Sequence, residues 1–187
     1  MDSHKPPTGI LLVNLGTPDA PRTAEVRRYL RQFLSDPRVI DINPLARFLL
    51  VNLIIAPFRA AKSAAAYRQV WTDEGSPLLA HGRKLAGEVQ SRLDESFPGQ
   101  YVVKLAMRYG KPSTESVLRE FAAQGIDRVR ALPLFPQYAS ASVGSAVEEI
   151  YRSAGRFWNV PMIDILPVFY DNPAYINACA TVATEAL

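Results

Sequence analysis

Cysteine and histidine are scarce in this 187-residue sequence. Its single cysteine, Cys179, excludes an internal disulfide and a cysteine-based iron–sulfur or zinc site built from this chain alone, and it suits a reducing compartment. The two histidines, His4 and His81, have no second histidine or carboxylate at ligand spacing, so no metal site is predicted. No resident cofactor is expected.

Other absences narrow the possible functions further. No apolar run reaches about 18 residues, so no segment is expected to span a bilayer. Residues 1–8 lack the apolar core of a secretory signal and are expected to form a disordered tail of a cytoplasmic protein. The 21 basic and 18 acidic residues are interspersed, so a nucleic-acid partner is not predicted. Neither GxGxxG nor GxxxxGK[ST] occurs, which argues against dinucleotide and P-loop phosphate binding.

Apolar runs alternating with amphipathic stretches indicate an α/β fold. Near-continuous apolar runs predict four strands, at residues 9–15, 101–107, 128–134 and 162–166. Helical spacing predicts helices that include residues 23–34, 78–93, 113–125, 142–154 and 174–187, and a further helix in the segment 58–78 that ends at a polar, Gly-containing loop. Strands buried on both faces and separated by helices predict a four-stranded parallel, doubly wound sheet with helices on both faces, as one domain over residues 9–187.

The segment between Pro44 and Pro57 is unusual because it is apolar nearly all round from Phe48 to Ala56. Asn52 is the interruption. Such a segment either packs in the core, which composition alone favours, or faces something apolar outside the protein.

A polar loop at residues 131–145, ALPLFPQYASASVGS, separates the third predicted strand from the next helix. A second polar loop, RYGKP at 108–112, follows the second strand. Ligands of open α/β sheets collect beyond the carboxyl ends of the strands, so these loops are candidate binding elements. The alternative is an ordinary connection whose serines cap the helix.

Four stretches together are more specific than the fold: ILLVNLGTP at 10–18, AYRQVWTDEGSPL at 66–78, LAMRYGKPS at 105–113 and LPLFPQYASASVGS at 132–145. In order and spacing they resemble the ferrochelatase family, from Gly9 to the final helix. That family has two similar doubly wound halves with a porphyrin cleft between them. This sequence resembles the first half.

The resemblance implies an enzyme that inserts Fe²⁺, as a substrate, into protoporphyrin IX to form protohaem, or into coproporphyrin III. It implies that residues 44–58 form an apolar lip that admits the porphyrin, with peripheral membrane contact through 48–56. The positions that match the family's porphyrin contacts are Leu15, Arg59, Lys62, Tyr67, Ser76, Arg108, Tyr109, Tyr138, Ser140 and Ser142. Ala139 and Val143 depart from the serine and threonine frequent in the family.

The family's metal-handling histidine and glutamate match no position before Leu187. No catalytic residue is therefore assigned, the isolated chain is expected to be inactive, and the missing cleft wall predicts self-association. The alternative is a module that binds a tetrapyrrole without chemistry. A flavodoxin-like domain would need a phosphate-binding loop after the first strand, which Gly16–Asp19 does not supply.

Overall fold

The computed structural model describes residues 6–185. The strands are β1 Thr8–Gly16, β2 Tyr101–Tyr109, β3 Arg128–Pro133 and β4 Met162–Ile165. The helices are α1 Thr23–Leu34, α2 Pro44–Leu49, α3 Ala56–Val70, α4 Pro77–Ser96, α5 Thr114–Ala123, α6 Ser145–Ala154 and α7 Pro173–Glu185. Wider π-helical turns occupy Leu50–Ile55 and Ser140–Gly144.

The ends of the chain lie partly outside this description. β1 begins at Thr8, inside the tail predicted over residues 1–8, and the Thr8 amide donates to the Gln100 carbonyl. Residues 1–5 of the predicted tail lie outside the described residues, as do the last two residues of the predicted helix 174–187.

Within residues 6–185, four parallel strands form one sheet in the order β2-β1-β3-β4. The predicted doubly wound sheet is confirmed. Successive residues of a strand point to opposite faces, so Leu11 and Val13 of β1 pack with α5 and α6, whereas Leu12 packs on the face covered by α4. The chain passes from β1 to β2 on one side and then from β2 across β1 to β3 on the other, which places the switch point of the topology at the carboxyl ends of β1 and β3.

The helical run 44–70, formed by α2, the π-helical turn 50–55 and α3, exposes much of its apolar surface. Its large exposed side chains are Leu45, Phe48, Leu49, Leu53, Ile54, Phe58 and Val70. Small alanines face inward instead, and Ala56, Ala60 and Ala64 are fully buried. Of the two alternatives for the segment, the structure therefore has the exposed one over most of its length.

The same helical run bears on the expectation that no segment spans a bilayer. Among the described residues, 44–70 is long and apolar enough to do so by length and composition. Arg47 and Asn52 interrupt the apolar run, but its average over 18 residues stays apolar. Length and composition are weak grounds for a span, because helices of soluble proteins pass the same test.

The far side of the sheet is sparsely covered. β4 has exposed and half-buried residues in alternation, and α7 buries no side chain. Trp158, Met162 and Val182 are among the exposed apolar residues of this side, with Trp158 fully exposed.

Candidate functional site

The polar loops that follow β1, β2 and β3 meet at the carboxyl edge of the sheet. Gly16 ends β1 with φ 120°, and a Cβ there would lie 1.8 Å from the Tyr109 carbonyl oxygen. Gly110 follows β2 with φ 88°, and its Cβ would lie 2.6 Å from the Thr17 carbonyl oxygen. Only glycine fits both the left-handed backbone and this close approach, so the two strand ends are held together here.

Asp36, in the turn that follows α1, forms the centre of a buried polar cluster at this edge. Its Oδ2 accepts hydrogen bonds from Arg108 Nη2 at 2.6 Å, from Tyr109 Oη at 2.7 Å and from Ser145 Oγ at 2.5 Å. Its Oδ1 accepts from the Arg38 amide at 2.7 Å. The carboxylate therefore joins the end of β2, the start of α6 and the chain after α1.

Arg108 lies at the predicted sheet edge, but its guanidinium points into the protein. Its Nε donates to the Ser145 carbonyl at 3.0 Å and to Ser145 Oγ at 2.7 Å, and its Nη1 lies 3.3 Å from Glu149 Oε2. The side chain is 9% exposed, and its guanidinium carbon lies 4.4 Å from the centre of the Tyr109 ring. These contacts fix the position of Arg108 within the edge.

The cluster shifts the protonation equilibria of its members. Burial alone would raise the pKa of Asp36, but hydrogen bonds from Ser145, Tyr109 and the Arg38 amide and the charge of Arg108 outweigh it, so the pKa lies below its ordinary value. Burial raises the pKa of Tyr109 to about 12. At neutral pH the ionised Asp36 carboxylate thus accepts a hydrogen bond from the neutral Tyr109 hydroxyl.

Tyr138, Ser140 and Ser142 lie on the loop between β3 and α6, in front of this cluster. Tyr138 is 65% exposed. The loop is held by the Ala139 carbonyl, which accepts from the Gly144 amide at 3.1 Å and from the Ser142 amide at 3.2 Å. Ser142 Oγ also donates to that carbonyl, at 3.4 Å. The loop thus has a defined turn while its tyrosine faces outward.

Arg38 connects this loop to the cluster. Its Nη1 donates to Ser140 Oγ at 3.3 Å, and its Nε donates to Glu148 of α6. Arg38, Tyr138, Gly144 and Glu148 also line an open cavity of about 560 Å³ with three other side chains of α6, Val147, Tyr151 and Arg152.

Tyr67 of α3 belongs to a row of aromatic rings that leads to the cluster. Ring centres lie 6.2 Å apart for Trp71 and Tyr67, 6.4 Å for Tyr67 and Tyr29, 6.0 Å for Tyr29 and Phe33, and 5.1 Å for Phe33 and Tyr109. Most of these pairs meet edge to face, a favourable arrangement. Tyr67 is half-buried in this row, whereas Arg59 and Lys62 of the same helix are exposed.

Leu15 and Ser76 lie at the remaining parts of the edge. Leu15 is the second-last residue of β1 and is half-buried, with its amide 2.7 Å from Asn14 Oδ1. Ser76 is buried at the N-cap of α4. It lines a cavity of about 670 Å³ together with Thr17, Trp71, Arg83 and Lys111, among others. The structure thus groups Arg108, Tyr109, Ser140 and Ser142 through the loop and cluster, and sets Arg59, Lys62 and Ser76 apart from them.

Sequence reasoning missed Asp36, Arg38 and Ser145 as site residues. The pair Asp36–Pro37 indicates only the end of a helix, and Asp36 is 72 residues from Arg108 and 109 from Ser145. One usable signal is an aspartate two residues before an arginine at a helix end, which is typical of a side chain that bonds its own backbone. Among the described residues, no group of three or more histidine, cysteine, aspartate or glutamate side chains could hold a metal ion.

The fold and this edge define a doubly wound α/β domain whose ligand-binding side is built from the loops after β1, β2 and β3. Comparison with known families identifies it more closely. The family model for ferrochelatase matches residues 7–187, and the chain belongs to the ferrochelatase family.

Curated relatives carry the same name. The chain is 47% identical to a ferrochelatase of Chromobacterium violaceum over 177 residues, which is 95% of this chain and 49% of that protein. It is 44% identical to a ferrochelatase of Coxiella burnetii over 96% of this chain and 48% of that protein, and 45% identical to one of Thioalkalivibrio sulfidiphilus over 92% and 47%. The chain thus spans about half the length of the curated relatives it matches.

Proposed function

We propose that this chain provides the porphyrin-holding half of a ferrochelatase, which inserts Fe²⁺ into protoporphyrin IX, or coproporphyrin III, in haem biosynthesis. The observation that carries the proposal is the family match over residues 7–187, together with relatives of that name at 44–47% identity. A cytoplasmic location and the absence of a resident cofactor are part of the same proposal.

Exposed groups around the edge suit a flat, dianionic ring. Arg59 and Lys62 offer cationic donors for propionate groups, while exposed Tyr138 offers an aromatic face with a hydroxyl donor. Ser140 and Ser142 add hydroxyls on the same loop, and Leu15, Tyr67 and Ser76 complete the proposed porphyrin contacts. Arg108 and Tyr109, whose polar atoms are occupied by Asp36 and Ser145, act in this proposal by setting the shape of the edge.

The apolar helical surface suits peripheral membrane contact. Phe48, Leu49, Leu53 and Ile54 are all more than two-fifths exposed within the proposed lip 48–56. Arg47, Arg59 and Lys62 flank that surface, and such cations favour an interface with anionic lipid over burial in the hydrocarbon core. Shallow contact fits these charges better than a complete span.

Self-association is proposed for the chain by itself. Its support is the set of exposed apolar side chains in β4, in α7 and in the turn before β4, including Trp158 and Met162. Sedimentation at several protein concentrations would detect it.

A metal-insertion assay tests whether this chain binds porphyrin and whether it inserts metal by itself. The purified 187-residue chain is incubated with protoporphyrin IX and either Fe²⁺ or Zn²⁺, beside the full-length Chromobacterium violaceum relative, while metalloporphyrin absorbance is recorded. We expect the chain to bind porphyrin without turnover, since the residues proposed for metal handling have no counterpart in it. Turnover at the relative's rate would overturn the half-enzyme proposal, and absence of porphyrin binding would overturn both that proposal and the alternative of a module that binds a tetrapyrrole without chemistry.

A further inference from the structure

We infer that Asp36 is a positioning residue of this site. Asp36 holds the loop 137–144 in its binding conformation through Arg38. The effect on porphyrin binding rests on the proposed function. The claim that Asp36 holds the loop does not. Asp36 touches none of the exposed groups proposed to meet the porphyrin. It acts through the residues that carry them.

The first step is the completeness of the hydrogen bonding around Asp36. A carboxylate offers about four acceptor positions. Here three donors reach Oδ2, from Arg108, Tyr109 and Ser145, and the Arg38 amide reaches Oδ1. Because these donors come from three separate segments, loss of the carboxylate would release the turn after α1 from the other two, which Arg108 and Ser145 still join directly.

The second step leads from Asp36 to the loop. The bond from the Arg38 amide to Oδ1 fixes the turn that directs the Arg38 side chain to Ser140 Oγ and to Glu148. Gly144 completes the contact, because a Cβ there would lie 3.1 Å from Arg38 Nη1 and 3.1 Å from Tyr138 Oη. The side chains of Arg38 and Tyr138 thus lie close against the backbone of Gly144.

The third step concerns why a charge is buried here at all. A buried ion pair costs desolvation, and an apolar group of similar size is often as stabilising, so a buried pair is weak grounds for a purely structural role. The Asp36 cluster lies directly behind an exposed loop at the ligand edge of the sheet. Supporting groups in such places hold contact residues to within a fraction of an ångström.

The test compares Asp36→Asn with Asp164→Asn in the 187-residue chain. Asparagine keeps the shape of Asp36 but removes its charge, and its NH2 group must face either the three donors at Oδ2 or the Arg38 amide at Oδ1. Asp164 forms an exposed ion pair with Arg130 and serves as the matched control. Hydrogen exchange of the Ser142 and Gly144 amides reports the loop, and exchange of the buried β1 amides reports global unfolding.

We expect Asp36→Asn to reduce protection of the loop amides by about tenfold or more beyond any reduction at the β1 amides, and we expect the Asp164→Asn chain to match wild type at both. Protoporphyrin IX titration, followed by fluorescence, should show a similar increase in Kd. Asp36→Glu keeps the charge and should recover part of both effects.

Unchanged loop protection in Asp36→Asn would overturn the inference, whether or not porphyrin binds. If the wild-type chain bound no porphyrin, the proposed function would fail, and loop exchange alone would decide the inference. Should Asp36→Asn unfold, Arg38→Gln and Gly144→Ala interrupt the same connection at its exposed end. Loop protection equal to wild type in both of these variants would also overturn it.

Discussion

Two regions depart from the usual distribution of polar and apolar side chains. The edge around Asp36 buries charged groups, and the helical run 44–70 exposes apolar ones. At the edge, ionised Asp36 and Arg108 are almost entirely enclosed. Along the helical run, Phe48, Leu53 and Phe58 are more than half exposed. Buried charges need partners with fixed geometry, whereas exposed apolar groups need an external surface. The charged groups of the edge thus find their partners within the protein, whereas the apolar groups of the helical run need a ligand or a membrane.

The largest change in stability should follow from removing a member of the buried cluster around Asp36. Arg108→Ala leaves Asp36 buried with one cationic partner fewer, and we expect a loss of about 3 kcal/mol in the free energy of unfolding, because the remaining charge is uncompensated. Urea unfolding measures it. Arg130→Ala removes an exposed ion pair between β3 and β4 and should change stability by about 0.5 kcal/mol or less. Equal losses for the two variants would contradict the comparison.

Charges placed on the helical run should act on association and leave stability nearly unchanged. The double change Leu49→Glu and Ile54→Glu should weaken binding to anionic liposomes by about tenfold or more, since apolar contact is replaced by carboxylates that the lipid repels. Because both side chains are about half exposed, the free energy of unfolding should change by about 0.5 kcal/mol or less. Liposome co-sedimentation and thermal unfolding give the two values.

Val51→Glu supplies the matched control, because Val51 is fully buried on the inner side of the same helical run. It should destabilise the protein by several kcal/mol. A large loss of stability in the Leu49 and Ile54 variant would show instead that this surface belongs to the core.

Acid should weaken the buried edge progressively. The pKa of Asp36 lies below its ordinary value of 3.8, so the ionised carboxylate contributes stability that is fully present above that value and is lost as the pH falls through the folded pKa. The charged groups facing it are Arg38, Arg108, Glu149 and Arg152. The stability difference between wild type and Asp36→Asn should therefore stay constant from pH 7 down to about 3.8 and narrow at lower pH. Urea unfolding at a series of pH values would contradict this if the difference stayed constant below 3.8 as well.

The smallest effect should come from single exposed cations. Arg59→Gln should raise the Kd for protoporphyrin IX by about threefold, since one solvent-exposed charge contributes little to a charge-assisted contact. Arg27→Gln changes an exposed arginine of α1 and should leave the Kd unchanged. A Kd unaffected by Arg59→Gln would remove this residue from the proposed propionate contacts.

Local sequence patterns predicted the sheet well. The apolar residues of 101–107 and 128–134 correspond to β2 Tyr101–Tyr109 and β3 Arg128–Pro133, because the buried positions of a strand leave a local signal even where Arg128 and Arg130 are exposed. Exposure of the helical run 44–70 could not be derived in the same way. Its composition suits a core helix equally well, and the inward side is decided by alanines that pack closely against α1 and the rest of the fold.

The candidate site was predicted only where its residues follow strand ends. Arg108 and Tyr138 could be placed at the carboxyl edge from the order of elements alone. The direction of the Arg108 side chain could not, because it depends on Asp36 and Ser145, which are distant in sequence and carry no motif. Polar partners brought together by tertiary structure leave no local periodicity to detect.

The two tryptophans make two other parts of the molecule optically distinguishable, the aromatic row and the chain before β4. Trp71 begins the aromatic row that ends at Tyr109, whereas Trp158 is fully exposed on the opposite, sparsely covered side. With Trp71→Phe and Trp158→Phe, each variant keeps one emitter. Acrylamide quenching of the remaining indole then reports either occupancy beside α3 or coverage of β4, without any added dye.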